Sequence, residues 1–308
     1  MAAKDKHDSA NTLVVDLDGT LIRTDTLYEC FWLALSQNWR AMLVAVGGLM
    51  AGRAVLKARL AAIADLNVEY LPYNAEVIAY IGAWREAGGK VILVTAADQA
   101  IADKIAAHTG LFDEAIGSNG ATNLKGEEKA RFLQDRFADA GYAYMGDSSA
   151  DIPVWQGAKK AIAVNAKPSV TAQVKAMADS EILAGQPAQS AYLKALRPHQ
   201  WLKNILVFLP VIAAQDYSAL TLLGAILAFA AFSMVSSAGY VFNDLMDLRA
   251  DRAHPRKSAR PFASGRVPIG GGTAMVPLLL LAAALIVSLG GLLAAYSAVR
   301  PVSKDLGW

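Results

Sequence analysis

Cysteine is nearly absent. Cys30 is the one thiol among 308 residues, which excludes an internal disulfide or a cysteine-based metal site and leaves a small hydrophobe as its reading. An excess of one charge is also missing: 29 Lys and Arg stand against 27 Asp and Glu, a formal net charge of +2. So even a mixture excludes nucleic acid as a partner. The polar opening MAAKDKHDSAN is followed by no apolar segment of the kind a signal peptide has, so the N-terminal domain is expected in the cytoplasm. Formal charge disappears altogether from Ala219 to Phe242 and from Ala274 to Val299. Runs of that length favour bilayer-crossing helices over buried core helices, because a helix crossing a bilayer needs about 20 apolar residues.

What is present divides the chain into two regions. Residues 11–180 alternate short β-branched runs, TLVVD, KVILVTA, YAYMGD and AIAVN, with amphipathic stretches at Asp98 to Thr109 and Lys125 to Ala138. That rhythm predicts an α/β domain built on a Rossmann-like parallel sheet. Between Thr24 and about Asn74 the pattern turns helical, with no obvious strand, and predicts a small helical cap over the C-terminal edge of the sheet, where ligands bind in such folds. The run Ala41 to Val55 is apolar enough to touch lipid, but a buried cap helix is the preferred reading, with Trp32, Trp39 and Trp84 filling cap and core. A linker at 181–195 leads to residues 196–308, an all-α transmembrane region of about three helices. The first of these, Asn204 to Gln215, is short and needs Trp201 as an interfacial anchor, with a buried core helix as its alternative.

The acidic residues of the first region collect at predicted strand ends. Asp16 and Asp18 lie two apart at the end of the opening strand and so on one side while the strand lasts, and Gly19 frees the backbone to turn. A second strand ends at Thr95, and a third runs into Gly146 and Asp147, with Asp151 four positions on. In a parallel sheet these ends converge, and such a concentration of carboxylates calls for a hard cation.

These motifs resemble the haloacid dehalogenase-like phosphohydrolases: DLDGT at Asp16 to Thr20, VTA with Thr95, and GDSSAD at Gly146 to Asp151. The cap resembles that of the phosphoserine-phosphatase-like branch. The resemblance implies a phosphomonoester substrate, with Asp16 as nucleophile and Asp18 as general acid and base. It implies Mg2+ held by Asp16, Asp18 through its backbone carbonyl, Asp147 and Asp151, and a hydrogen bond from Thr95 to the phosphoryl group. Lys129 in KGEEKAR suits the third motif, with Lys125 the runner-up.

In the second region NDLMDLRAD supplies Asn243, Asp244, Asp247 and Asp251 directly after an uncharged run. On a helix continuing past the bilayer edge, Asn243, Asp247 and Asp251 share one face with Asp244 on its flank. Such groups suit Mg2+ bridging a diphosphate, with Lys203, Arg256, Lys257 and Arg260 as candidates for its outer oxygens. Basic residues before the first apolar segment (Lys194, Arg197, Lys203) and between the last two (Arg249 to Arg266) put both acidic clusters on the cytoplasmic side of a multi-pass membrane protein.

With HPRKSARP and LRPHQWLKN, this region resembles the UbiA-type intramembrane prenyltransferases, in particular the polyprenyl-phosphate phosphoribosyltransferase branch. That resemblance implies phosphoribosyl diphosphate as donor and polyprenyl phosphate entering from the lipid bilayer. It also implies about nine helices and a second aspartate-rich motif, and neither is in this chain; Asp305 falls on the wrong side. Transfer by this chain alone is therefore not expected. A tethered phosphohydrolase is the leading reading, with a transferase active only in full-length or complemented form and a non-catalytic membrane-tethered interaction protein as alternatives. One coupling of the first two is dephosphorylation of a phosphoribosylated polyprenyl lipid after its synthesis.

Overall fold

The computed structural model describes residues 12–47, 53–119, 123–137, 140–184 and 189–305. The polar opening and residues 185–188 of the expected linker lie outside them, as does the middle of the apolar run that starts at Ala41. The elements are, in order, β1 (Thr12–Val15), α1 (Thr26–Gln37), α2 (Trp39–Gly47), α3 (Arg53–Ile63), α4 (Ala75–Glu86), β2 (Lys90–Asp98) and α5 (Gln99–Thr109). There follow β3 (Glu114–Ser118), α6 (Glu127–Phe137), β4 (Ala143–Gly146), α7 (Ile152–Gly157), β5 (Lys160–Val164), α8 (Pro168–Lys175) and β6 (Ser180–Leu183). The C-terminal region holds α9 (Gln189–Leu196), α10 (Leu209–Ala214), α11 (Ala219–Met246), α12 (Leu248–Ala253) and α13 (Ile269–Asp305).

The sheet is parallel throughout, in the order β3-β2-β1-β4-β5-β6. Two strands, β3 and β6, were not legible in the sequence: EAIGS and SEIL are short, at the sheet edges, and too mixed in polarity to stand out. The alternation of side chains divides the core. Leu13, Val15, Leu93, Met145 and Val164 join the cluster shared with the cap, whereas Val14, Ile92, Tyr144 and Ala163 join the cluster under α6, α7 and α8. Burial on both faces explains why these strands read as unbroken apolar runs. The chain leaves β1 in both directions across the sheet, so the crevice beyond β1 and β4 is its topological switch point.

Helices α1 to α3, with a 3-10 turn at Val68–Tyr70, fill the stretch expected to form the cap. Trp32 and Trp84 are buried as expected, but Trp39 is exposed. Among the described residues of the C-terminal region, α11 and α13 are the helices long and apolar enough to cross a membrane. The expected count was about three. Instead of an α-helix, the first segment is a 3-10 helix over Pro198–Phe208 running into α10. It lies antiparallel to α11: Trp201 Nε1 donates to Ser237 Oγ at 2.9 Å, Asn204 Nδ2 to Ser233 Oγ at 3.1 Å, and Phe208 meets Phe229. Pro198 and Pro210, both at helix starts, bring no N–H to an α ladder through this stretch.

Candidate active site at the sheet edge and acidic cluster at the helix end

Asp16 follows β1 directly, its N–H donating to Met145 O at 2.9 Å, which keeps it in line with the sheet. Asp147 follows β4, and Asp151 ends a short 3-10 turn (Ser149–Asp151) before α7. One oxygen from each of the three carboxylates lies within 4.8 Å of the others. Lys129 reaches the group from α6: Nζ is 2.8 Å from Asp16 Oδ1 and 3.9 Å from Asp151 Oδ1. Lys125 is exposed. Tyr144, which carried no motif signal, completes the set by accepting from Lys129 at 3.0 Å and donating to Asp151 Oδ1 at 2.6 Å. Its signal was its place in YAYMGD, one strand alternation before Gly146.

Asp18 does not point into this cluster. The strand ends at Val15, so the expected common side for Asp16 and Asp18 is lost in the turn. The Asp18 carboxylate accepts from Thr26 N at 2.8 Å and Thr26 Oγ1 at 3.2 Å, at the start of α1. Its side chain is thus not among the ligand atoms brought together, which leaves its backbone carbonyl as the group to offer a cation. Thr95 is fully buried and accepts from Ala97 N at 3.0 Å. From the cap, Lys57 Nζ donates to Ala96 O at 2.7 Å, directly after Thr95.

The electrostatics follow from burial. Desolvation raises the Asp16 pKa, Asp151 adding to the rise while Lys129 opposes it. Burial and then the Asp16 charge push Asp147 up to about 8. Asp18 is raised to about 8 by burial and then by Asp25. Burial also acts to lower the Lys129 pKa, but the carboxylates around it prevail and the net shift is upward, so it stays cationic. Three crowded carboxylates with one ammonium are a donor set short of positive charge, which fits a hard divalent cation. Gly19 makes the crowding possible: its φ is +75°, and a Cβ there would lie 2.2 Å from Asp147 Oδ2.

The second acidic cluster differs from the expected face. The helix does not continue; α11 ends at Met246, and Asp247, at φ −96° and ψ 9°, turns the chain into α12. Asn243 and Asp247 are exposed, whereas Asp244 and Asp251 are buried. Arg260 joins the buried pair, donating to Asp251 Oδ2 at 2.7 Å and Asp244 Oδ1 at 3.2 Å, and Arg197 donates to Asp244 Oδ1 at 2.5 Å. Asp244 Oδ2 and Asp251 Oδ1 are buried without a hydrogen-bond partner. Of the other basic candidates, Lys257 Nζ is 3.9 Å from Asp251 Oδ1, and Arg256 and Lys203 are exposed.

The two halves meet through α1. Glu29 and Arg252 form a buried ion pair, Trp32 Nε1 donates to Thr273 Oγ1 at 2.8 Å, and the Trp32 ring meets Phe242 edge-on. Neither Glu29 nor Arg252 carried a motif signal; a lone Glu within an Ala- and Leu-rich stretch was the only hint.

Residues 13–156 match the haloacid dehalogenase-like hydrolase family, and residues 204–300 the UbiA prenyltransferase family. An uncharacterized protein of Sinorhizobium fredii is 39% identical over 275 residues, covering 87% of this chain and 52% of that protein. A decaprenyl-phosphate phosphoribosyltransferase of Corynebacterium glutamicum is 44% identical over 81 residues, 25% of this chain and 24% of that one. The chain thus spans about half the length of the first relative and a quarter of the second. A probable phosphoserine phosphatase from Vibrio cholerae, 16% identical, superposes with a TM-score of 0.41 over 55% of this chain and 61% of that one. The chain joins an N-terminal domain of the haloacid dehalogenase-like hydrolase family to a C-terminal domain of the UbiA prenyltransferase family.

Proposed function

We propose that the N-terminal domain hydrolyses phosphate monoesters through an aspartyl phosphate on Asp16. The observation that carries this reading is the Lys129 ammonium 2.8 Å from Asp16 Oδ1, beside Asp147 and Asp151. An Asp16 oxygen attacks phosphorus in line, and the P–O bond to the alcohol breaks as Asp18, its side chain released from Thr26 and turned towards the site, gives its proton to the leaving oxygen. A carboxyl raised to about 8 is protonated at neutral pH and so begins the cycle as an acid. Asp18, now a carboxylate, takes a proton from water, whose oxygen attacks the phosphorus; phosphate leaves and Asp16 is regenerated. Lys129 offsets the charge of the phosphoryl oxygens, and Thr95, whose Oγ1 accepts from Ala97 N, donates its hydroxyl proton to one of them. Mg2+, held by Asp16, Asp147, Asp151 and the Asp18 carbonyl, would supply the remaining positive charge against which a dianionic ester is attacked. The cap excludes bulk water. Phosphate release by the full chain over a panel of monoesters, with and without Mg2+ and beside Asp16→Asn, tests this reading. Turnover that persists in Asp16→Asn sinks it.

A second reading concerns the C-terminal domain. The buried, unpartnered oxygens of Asp244 and Asp251 favour a Mg2+-diphosphate half-site, with Asn243 and Asp247 at its exposed side and Arg260 and Arg197 as anion partners. Phosphoribosyl diphosphate and polyprenyl phosphate are the substrates proposed, for a protein extending beyond these residues. The hydrolase unit is taken as 11–180 with the cap at about 24–74, and β6 (Ser180–Leu183) carries its sheet on into the expected linker. The first crossing is assigned to the 3-10 stretch and α10, which at about 2 Å and 1.5 Å per residue together cover roughly 30 Å. Both acidic clusters then face the cytoplasm. A phosphoribosylated polyprenyl lipid is the substrate that couples the halves; a chain that cleaves simpler monoesters but not this lipid counts against the coupling.

A further inference from the structure

The cap carries an apolar surface that the hydrolase fold does not use. On α2, Trp39 is 56%, Leu43 55% and Val44 72% exposed, while Met42 on the opposite side is buried. Gly47 and Arg40 complete the exposed face, and Arg40 lies over the Trp39 ring at 5.4 Å. One charge among five residues makes an outward face that water does not favour.

The position of α2 follows from two registers along α1. On one side, Glu29 pairs with Arg252 in α12, and Trp32, one turn later, meets Phe242 in α11. On the other, the Tyr28 ring lies 2.9 Å from where a Cβ on Gly270 would sit, and Trp32 bonds Thr273 in α13. Backwards from Arg252 to Phe242 and forwards from Gly270 to Thr273 are both movements into the apolar helices. Helix α1 therefore runs from the hydrolase site towards the membrane domain. It continues past Trp32 to Gln37, which at 1.5 Å per residue is about 7 Å deeper, and there the chain turns at Asn38 into α2.

We propose that the exposed face of α2 (Trp39, Leu43 and Val44) is inserted into the bilayer leaflet on the hydrolase side, at the boundary of headgroups and acyl chains. Trp at that depth has its ring in the apolar layer and its N–H in the wet one, and an adjacent guanidinium reaches the lipid phosphates. Further along the same course the outward side chains of α11 and α13, Phe232 and Leu281 among them, are exposed. A bilayer that surrounds those helices thus reaches α2 without another partner, and a short amphipathic helix of this composition lies in such a plane. The cap then has two supports, the ion-paired joint at Glu29 and the lipid contact at Trp39.

The test uses the full chain with Cys30→Ala, reconstituted in vesicles of phosphatidylcholine and phosphatidylglycerol with plain or brominated acyl chains. A bimane label is placed singly at Leu43→Cys, Val44→Cys, Leu281→Cys and Glu86→Cys. Bromolipid quenching at 43 and 44 is expected to reach at least roughly half of that at 281, with little at 86, which is exposed on the hydrolase. Because the proposal rests on α13 crossing the bilayer, the 281 label separates the failures: quenching at 281 without 43 and 44 overturns this proposal alone, and quenching at none overturns both. Labels at 43 and 44 shielded from aqueous iodide but not quenched by bromolipid would mean that a second copy of the chain covers the face, and that also overturns it.

Discussion

Arg252 holds Glu29 in a two-armed ion pair, Nη2 to Oε1 at 2.5 Å and Nη1 to Oε2 at 2.9 Å, across 223 residues of chain. Thr24 Oγ1 donates to Glu29 Oε1 at 2.6 Å, and Arg252 Nε also donates to Ala263 O at 3.1 Å. The pair thus ties the segment between Asp18 and α1 to α12, which carries Asp251.

Both side chains of the pair are almost fully buried, at 4% and 6% exposure, so removing one partner strands a charge. Arg252→Ala or Glu29→Ala is expected to destabilise the detergent-solubilised chain by about 3–5 kcal/mol, whereas Glu29→Leu with Arg252→Met, which removes both charges, is expected to cost far less. Thermal unfolding of the three variants checks this asymmetry.

Lys129 and Asp16 form the closest charge contact of the hydrolase site. Asp16→Asn is expected to remove phosphate release, and Lys129→Met to lower it by about a thousandfold, the scale of losing one group that stabilises developing charge. Initial rates with a chromogenic monoester measure both.

Asp18 and Asp147 are both raised to about 8, by burial first and by Asp25 and Asp16 respectively. The folded chain therefore binds more protons than the unfolded chain between about pH 4 and 8. Without a divalent cation, stability is expected to fall as pH rises through that window. Because Mg2+ requires the deprotonated carboxylates, it should raise the melting temperature more at pH 8 than at pH 5. Melting curves at the two pH values, with Mg2+ and with chelator, decide it; an equal effect at both refutes it.

Gly19 combines a positive φ with closest approach to Asp147. Gly19→Ala is expected to destabilise the domain by about 1–2 kcal/mol or more and to displace Asp147, weakening Mg2+ binding. Isothermal titration against wild type reads the second effect directly.

Arg260 bridges Asp244 and Asp251. Arg260→Gln is expected to lower stability by a few kcal/mol and to weaken binding of Mg2+-diphosphate, as the loss of a charged hydrogen-bond donor between two buried acids. Thermal unfolding and titration with diphosphate in Mg2+ measure the two effects.

Much of this chain was written in local pattern. The four central strands are apolar on both faces, and that burial leaves a continuous signature in TLVV or KVILV; β3 and β6 lie at the edges, where burial is partial and the signature fades. The positions of Asp16, Thr95 and Asp147 at or near the ends of apolar runs are enough to place them at the sheet edge, since parallel strands bring their C-terminal ends together; Lys129, which enters from α6, had only its motif. Two long uncharged runs were enough to mark α11 and α13, because a bilayer-crossing helix needs only length and apolarity.

The tertiary structure decided what depends on partners distant in sequence. The Asp18 side chain turns away from Asp16 because Thr26 offers two donors, and Tyr144 joins the site because Lys129 and Asp151 meet it across the sheet. At Asp247 the chain bends, so Asp244 and Asp251 become the buried pair in place of a four-residue periodic face. Glu29 and Arg252 look like ordinary surface charges in sequence, and Trp39 like an ordinary core residue. Burial and exposure are properties of the assembled surfaces, so only the docking of α1 on the membrane domain could reverse those readings.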